Sequence, residues 1–216
     1  MPAEAPIRRL SPWAFDPIEA GRDLDALEIL LTPKTPLSER DNILPTFRDH
    51  GHLCALLGLY SQRANIIDHL AVEAPLFGQF RADVVAGDRE VGAYTFVEFE
   101  DASENSLFEG DRGQREWSRR CEHAMSQLVD WLWITSDLTQ TRLLQGVFGP
   151  DPIEATVVLV LGRDHYLDGA ERQRLLWRRR FTTINAQHLY ICTFDELLRD
   201  LRRKLVWRSS IASSKP

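Results

Sequence analysis

The stretch Thr156–Leu161 (TVVLVL) is an unbroken apolar run, and a strand of that composition is buried on both faces. It therefore needs a sheet with covering layers above and below. The surrounding pattern supplies them. Phe80–Ala86 (FRADVVA) and Tyr94–Phe99 (YTFVEF) are short and rich in β-formers, with the turn residues Gly87, Asp88 and Gly92 between them. Glu116–Thr135 has helical periodicity, Asp101–Gln114 reads as a polar loop, and a helix over Gly169–Phe181 precedes a strand at His188–Cys192. Thr193 and Glu196 form a capping box for a last helix reaching about Trp207. Strands alternating with helices predict an α/β fold with a mixed or parallel sheet covered on both sides.

Ahead of this pattern the chain is different. Residues 1–37 hold Pro2, Pro6, Pro12, Pro17, Pro33 and Pro36, which predicts an irregular arm with a short helix at Asp23–Leu31. Ser38-Glu-Arg-Asp carries capping chemistry, and Leu53–Leu70 repeats apolar residues at helical spacing, which predicts a long amphipathic helix. The expected division is an N-terminal arm and helical extension over 1–52, a catalytic-type domain over 53–208, and a frayed tail over 209–216.

Three acids stand on the central strands. Asp83 interrupts an apolar run, and Glu98 and Glu100 are two residues apart, so on a strand they share a face. Convergent carboxylates suit a hard divalent cation such as Mg²⁺ and repel one another without it. The same alternation is also what any half-buried strand displays, with the acids solvated. In the following helix His123, Gln127 and Trp131 recur every four residues and lie on one face. They either serve the acids or form the margin of a helix that packs through Met125, Leu128 and Leu132.

Taken together, these segments resemble the C-terminal domain of the Shedu anti-phage defence proteins. The resemblance lies in YTFVEFED at Tyr94–Asp101, the Leu107-Phe108 pair, and HAMSQLVDW at His123–Trp131, similar to that family's "vvElE", "LF" and "HAxxQxxxW". Val158–Arg163 (VLVLGR) and Thr193–Leu198 (TFDELL) resemble its "vviGR" and "TyDeLl" segments, so the match spans about Leu53–Leu205 in order. The resemblance implies a restriction-endonuclease-like mixed sheet flanked by helices, the PD-(D/E)xK pattern, with Asp83 and Glu98 in the acidic positions and Gln127 and Trp131 in the helix feature. Glu100 stands where the pattern has lysine, as in Glu-x-Glu versions of the family.

The implied function is a divalent-metal-dependent nuclease in prokaryotic antiviral defence, acting on nucleic acid, DNA in the first instance. Asp83, Glu98 and the Phe99 carbonyl would hold Mg²⁺ or Mn²⁺, Glu100 would be a further ligand or general base, and Gln127 would position water or phosphate. Arg119, Arg120 and His123, with the C-terminal arginines, would meet the substrate. The alternative is a catalytically inactive module of the same fold that binds nucleic acid or a partner protein. Relatives also imply homo-oligomers and a sensing domain or partner.

Charge and composition bear on these readings. The net charge is −6, but residues 163–216 carry +6 and residues 1–162 carry −12. The C-terminal cations, Arg178–Arg180 and Arg202–Lys204 among them, either meet phosphates or are the solvated faces of two helices. Scattered Cys54, Cys121 and Cys192, with no apolar run fit for a membrane or a leader, predict a cytoplasmic protein without a membrane partner. His50, His52 and Cys54 form a weak zinc pattern lacking a fourth ligand at finger spacing. His165 follows a buried strand, where α/β sheets place functional loops, and reads equally as a turn residue. No glycine-rich phosphate loop is present, so no nucleotide cofactor is expected.

Overall fold

In a computed structural model of the chain, residues 10–76, 80–111, 113–137, 142–149, 153–184 and 187–213 are described. A short strand β1 (Ser11–Pro12) leads into helix α1 (Pro17–Leu31), a π-helical turn (Glu39–Ile43), α2 (Leu44–Asp49) and α3 (Gly51–Leu57). Then come β2 (His69–Leu76), β3 (Phe80–Asp88), β4 (Ala93–Phe99), the small pair β5 (Phe108–Glu109) and β6 (Glu116–Trp117), α4 (Arg119–Asp137) and α5 (Arg142–Phe148). The chain closes with β7 (Glu154–Val160), α6 (Gly169–Phe181), the small pair β8 (Thr183–Ile184) and β9 (Gln187–His188), β10 (Tyr190–Cys192) and α7 (Phe194–Ser213).

The main sheet has the order β1-β2-β3-β4-β7-β10. It is antiparallel through β4 and parallel from β4 to β7 and β10. Parallel neighbours need crossovers, and α4–α5 and α6 supply them. This is the mixed, helix-flanked α/β sheet that the alternating pattern predicts. Along β7 successive residues enter opposite cores. Val157 and Leu159 pack with Ala124, Leu128 and Trp131 of α4, whereas Val158 and Val160 pack with Leu24 and Leu27 of α1 and Leu197 of α7. Both faces are covered, which is why Val157–Leu161 carries no polar residue.

The predicted helix over Leu53–Leu70 is corrected. Only α3 is α-helical; a 3₁₀ turn follows at Gly58–Tyr60, and His69 opens strand β2. Gly58 lies so close to Ile67 that an added Cβ would sit 2.7 Å from its side chain, so the chain doubles back there. The sequence of β2 does not read as a strand, because Glu73 and Pro75 interrupt its alternation. Beyond Leu70 it has no paired neighbour on the β1 side among the described residues, and an edge tolerates proline. Glu73 adopts φ 51°, and Arg48 and Arg81 bind its carboxylate at 2.7 and 3.1 Å.

Other boundaries shift by a few residues. Helix α1 begins at Pro17, with Asp16 as N-cap, rather than at Asp23. Helix α4 begins at Arg119, because Glu116 and Trp117 pair with β5 and the Ser118 hydroxyl accepts the Cys121 N–H at 3.0 Å. The predicted capping box is present: Thr193 Oγ1 accepts from Glu196 N at 3.1 Å, and Glu196 Oε2 accepts from Thr193 N at 3.2 Å. Helix α7 runs on to Ser213, beyond the predicted end near Trp207; residues 214–216 lie outside the described set. No helix among the described residues is long and apolar enough to cross a membrane.

The C-terminal cations are largely spent inside the fold. Arg178 binds Glu122, Arg179 binds Glu196, Arg202 binds Asp25 and Glu28, and Arg203 binds Asp200. The charge asymmetry of the sequence thus becomes cross-bracing, much of it between the basic C-terminal helices and earlier acidic segments.

Candidate active site

The site begins where two strands part. The β3–β4 ladder runs from Asp88↔Ala93 to Val84↔Val97 and stops; β3 continues with β2, and β4 continues with β7. Asp83 and Glu98 are the next residues on each strand, at the mouth of this opening. A ladder that ends leaves a backbone N–H to satisfy. Asp83 does so, its Oδ2 accepting the Phe99 N–H at 2.7 Å.

The side-chain alternation of β4 sets the facing. Tyr94 and Phe96 pack against α4 in one core, Val97 and Phe99 against the N-terminal helices in the other. Glu98 and Glu100 continue the first series and so face α4. The contact with that helix is direct: Arg120 Nη1 lies 2.6 Å from Glu100 Oε2, and Nη2 lies 3.2 Å from Asp101.

A further acid joins them that the sequence reading did not select. Glu39 opens the π-helical turn, with its N–H donated to Asp101 Oδ1 at 2.8 Å. Leu37 and Ala102 exchange backbone hydrogen bonds at 3.3 and 2.9 Å, which zips the segment before Glu39 to the segment after Glu100. An acid in a first helical turn ordinarily reads as a partner of the helix dipole. Only the pairing of two segments far apart in sequence gives Glu39 a second meaning.

The electrostatics follow from crowding. Burial pushes Glu98 up to about 10, helped by Asp83, Glu100 and Glu39. Burial likewise raises Asp83 to about 7, against the pull of the Phe99 N–H. Burial raises Glu39, with Glu100 and Asp101 adding to it, and burial raises Glu100 despite Arg120. Glu98 Oε2 is buried without a hydrogen-bond partner. Oxygen donors that are crowded, short of partners and mutually repelling match what a hard divalent cation takes up. Among the described residues, however, no group of three or more His, Cys, Asp or Glu side chains is arranged to hold a metal as it stands. Glu100 is committed to Arg120, which leaves Asp83 and Glu98 as the carboxylates a cation would draw together.

The polar side of α4 completes the surroundings. Arg120 and His123 are exposed, and His123 is near enough to Glu100 to pull its pKa down. Further along the same helix, Gln127 Oε1 and Trp131 Nε1 are buried without partners. Met125, Leu128 and Leu132 are buried, so the helix packs through them as the margin reading expects. Arg119 is exposed, and its backbone N–H reaches Glu109 at 3.1 Å.

Other candidates lie apart. His50 Nδ1 meets Thr46 O, His52 Nδ1 accepts from Asp16 N, and Cys54 donates to Phe47 O, so the zinc pattern is three separate local contacts. Burial, then Arg163, lowers the pKa of His165, whose Nε2 is buried without a partner beside the β7 end. Arg163 itself is structural. Only 3% exposed, it forks onto Asp195 at 2.9 and 3.0 Å and caps the Leu31 carbonyl of α1 at 2.6 Å.

A mixed α/β sheet thus opens at paired acids, beside a helix carrying Arg120, His123 and Gln127. The model of the Shedu protein SduA C-terminal family matches residues 37–198, and the chain belongs to that family. Membership implies a role in antiphage defence. The matched span begins just ahead of Glu39. A search among curated proteins returned no match.

Proposed function

We propose that this protein is a metal-dependent nuclease of restriction-endonuclease-like type that hydrolyses phosphodiester bonds, DNA first, in antiviral defence. The observation that carries the reading is the parting of β3 and β4 at Asp83 and Glu98, with Glu100 facing the Arg120 guanidinium across it. Asp83, Glu98 and the Phe99 carbonyl would hold Mg²⁺ or Mn²⁺. When bound, such an ion supplies charge neutralisation at the phosphate and activation of water.

The remaining roles fall to the chain. Glu100 stands where the family's pattern has lysine, and Arg120 brings a guanidinium to that place, paired with the Glu100 carboxylate. Gln127 offers a free amide oxygen to orient water, and it can do so because no protein group occupies that oxygen. His123 and Arg119, both exposed, stand at the rim to meet phosphates. We place this activity in the cytoplasm, with homo-oligomers or a sensor protein as its setting; exposed Ile18, Ile29 and Val206 on α1 and α7 offer apolar contact surface.

A second reading is a module of the same fold that binds without cutting. It is favoured by the Arg120–Glu100 pair, since a carboxylate held by arginine is a poor ligand or base. Cleavage of labelled single- and double-stranded DNA with Mg²⁺ or Mn²⁺ decides between them. The nuclease reading expects cleavage that needs metal and is lost in Glu98→Ala and Asp83→Ala. Well-folded protein that cuts nothing with either ion, or variants that cut as wild type does, sinks it.

A further inference from the structure

Helix α6 turns two large aromatic side chains to solvent. Trp177 is 64% exposed and Phe181 57%, one helical turn apart, with ring centroids separated by 5.1 Å. Neither belongs to a core cluster. Arg180 lies 5.3 Å from the Phe181 ring, while the neighbouring Arg178 is 4.4 Å over Trp117 and Arg174 sits 4.6 Å from Phe108. Trp117, Trp177, Arg174 and Arg178 line a cavity of about 420 Å³ together with Glu122 and Thr182.

The charges here are of two kinds. Arg178 is neutralised by Glu122 at 2.6 and 3.1 Å and serves as a wall. Arg180, and Arg174, whose Nη1 donates to the Arg115 carbonyl at 2.6 Å, have no acidic partner among the described residues, although the chain as a whole is acidic. Unpaired cations beside exposed rings are complementary to a strand that offers both phosphates and flat faces. The Arg178–Glu122 bridge also joins this face to α4, where Arg120 and His123 flank Glu122 in sequence.

We propose that this face is a stacking platform for the unpaired bases of a single nucleic-acid strand. Trp177 and Phe181 take base faces, and Arg174 and Arg180 take phosphates. In a duplex the base faces are covered by their neighbours, so exposed rings select unpaired bases. The proposal rests on the nuclease reading only for what the platform feeds, namely a strand led along α4 to the acids.

The test is binding of the intact chain, in EDTA, to labelled oligo(dU), oligo(U) and a blunt duplex of equal length, read by anisotropy. Single strands bind more tightly than the duplex, and whichever of dU and U, which differ only at the 2′ position, binds better names the sugar. Trp177→Ala, at an exposed site that leaves the circular dichroism unchanged, weakens single-strand binding about tenfold or more. Arg174→Gln with Arg180→Gln makes the slope of log K against log salt shallower by about 1.4, at about 0.7 per phosphate contact.

Wild-type affinity in the Trp177→Ala/Phe181→Ala protein, or equal affinity for the duplex, overturns the proposal. So does sedimentation in which that double substitution dissociates an oligomer while binding persists, since the face then joins copies of the chain. Failure of the nuclease reading is separate: a protein that binds single strands through Trp177 but cuts nothing with metal keeps the platform and loses the catalysis.

Discussion

Arg120 and Glu100 meet at 2.6 Å, with the Arg120 side chain 45% exposed and that of Glu100 9%. Helix α4 thus brings a cation to a strand position that lacks one. If this pair stands in for the pattern's lysine, Arg120→Ala lowers cleavage about a hundredfold with little change in melting temperature, since removing one fixed electrostatic donor costs roughly 10²–10³ in rate. Arg120→Lys restores part of it. Full activity in Arg120→Ala would show that the guanidinium only neutralises Glu100.

The buried acids make metal-free stability depend on pH. Asp83 moves from its ordinary 3.8 to about 7, and Glu98 from 4.5 to about 10. Between those values the folded chain holds protons that the unfolded chain has lost, so stability falls as pH rises through the window. In EDTA the melting temperature should drop from pH 6 to pH 9. Glu98→Gln flattens that decline, because a neutral amide removes the buried charge. A wild-type melting temperature that stays level over this range contradicts the crowded-acid description.

Divalent cations should reverse the same loss. An ion bound only by the folded state stabilises it by mass action. At pH 8, Mn²⁺ raises the melting temperature of the wild type but leaves Asp83→Asn and Glu98→Gln unmoved. An equal rise in all three proteins places the ion elsewhere.

Gln127 and Trp131 separate site from core on one helix. Trp131 is 1% exposed, and Trp131→Ala costs about 3–5 kcal/mol of stability. Gln127 Oε1 has no partner to lose, so Gln127→Ala stays within about 1 kcal/mol of wild type yet slows cleavage. Denaturant titration alongside single-turnover cleavage reads both; a Gln127→Ala protein that unfolds early but cuts at the wild-type rate reverses the assignment.

Arg163 offers a test of the scaffold alone. Removing one partner from a buried, hydrogen-bonded pair costs about 3–5 kcal/mol. Arg163→Ala strands Asp195, whose carboxyl is held below its usual range by the guanidinium and the Asp164 N–H against its own burial. The melting temperature should fall by about 10 °C. A fall of a degree or two would mean that the α1 and α7 ends hold without this tie.

The elements legible in the sequence were those whose signal is local. The apolar run of β7, the β-former content of β3 and β4, the Thr193–Glu196 box and the α6 span each depend on neighbours within a few residues. Strand β2 was not legible, because Glu73 and Pro75 blur its period and only pairing with β3 makes it a strand. The basic C-terminal quarter was legible as composition but not as surface, since its arginines find acids such as Glu122 and Asp25 far along the chain.

For the site the division is similar. The sequence by itself determined that Glu98 and Glu100 share a strand face and that His123, Gln127 and Trp131 share a helix face, because backbone periodicity alone dictates both. Its ordered motifs also determined the family. Tertiary structure alone decided that the β3–β4 ladder ends at Asp83 and Glu98, that Arg120 rather than a lysine meets Glu100, and that Glu39 joins them. Those contacts join residues up to about sixty positions apart, through the Glu39–Asp101 tie. No local pattern encodes such a distance; it is set by how the helices close over the sheet.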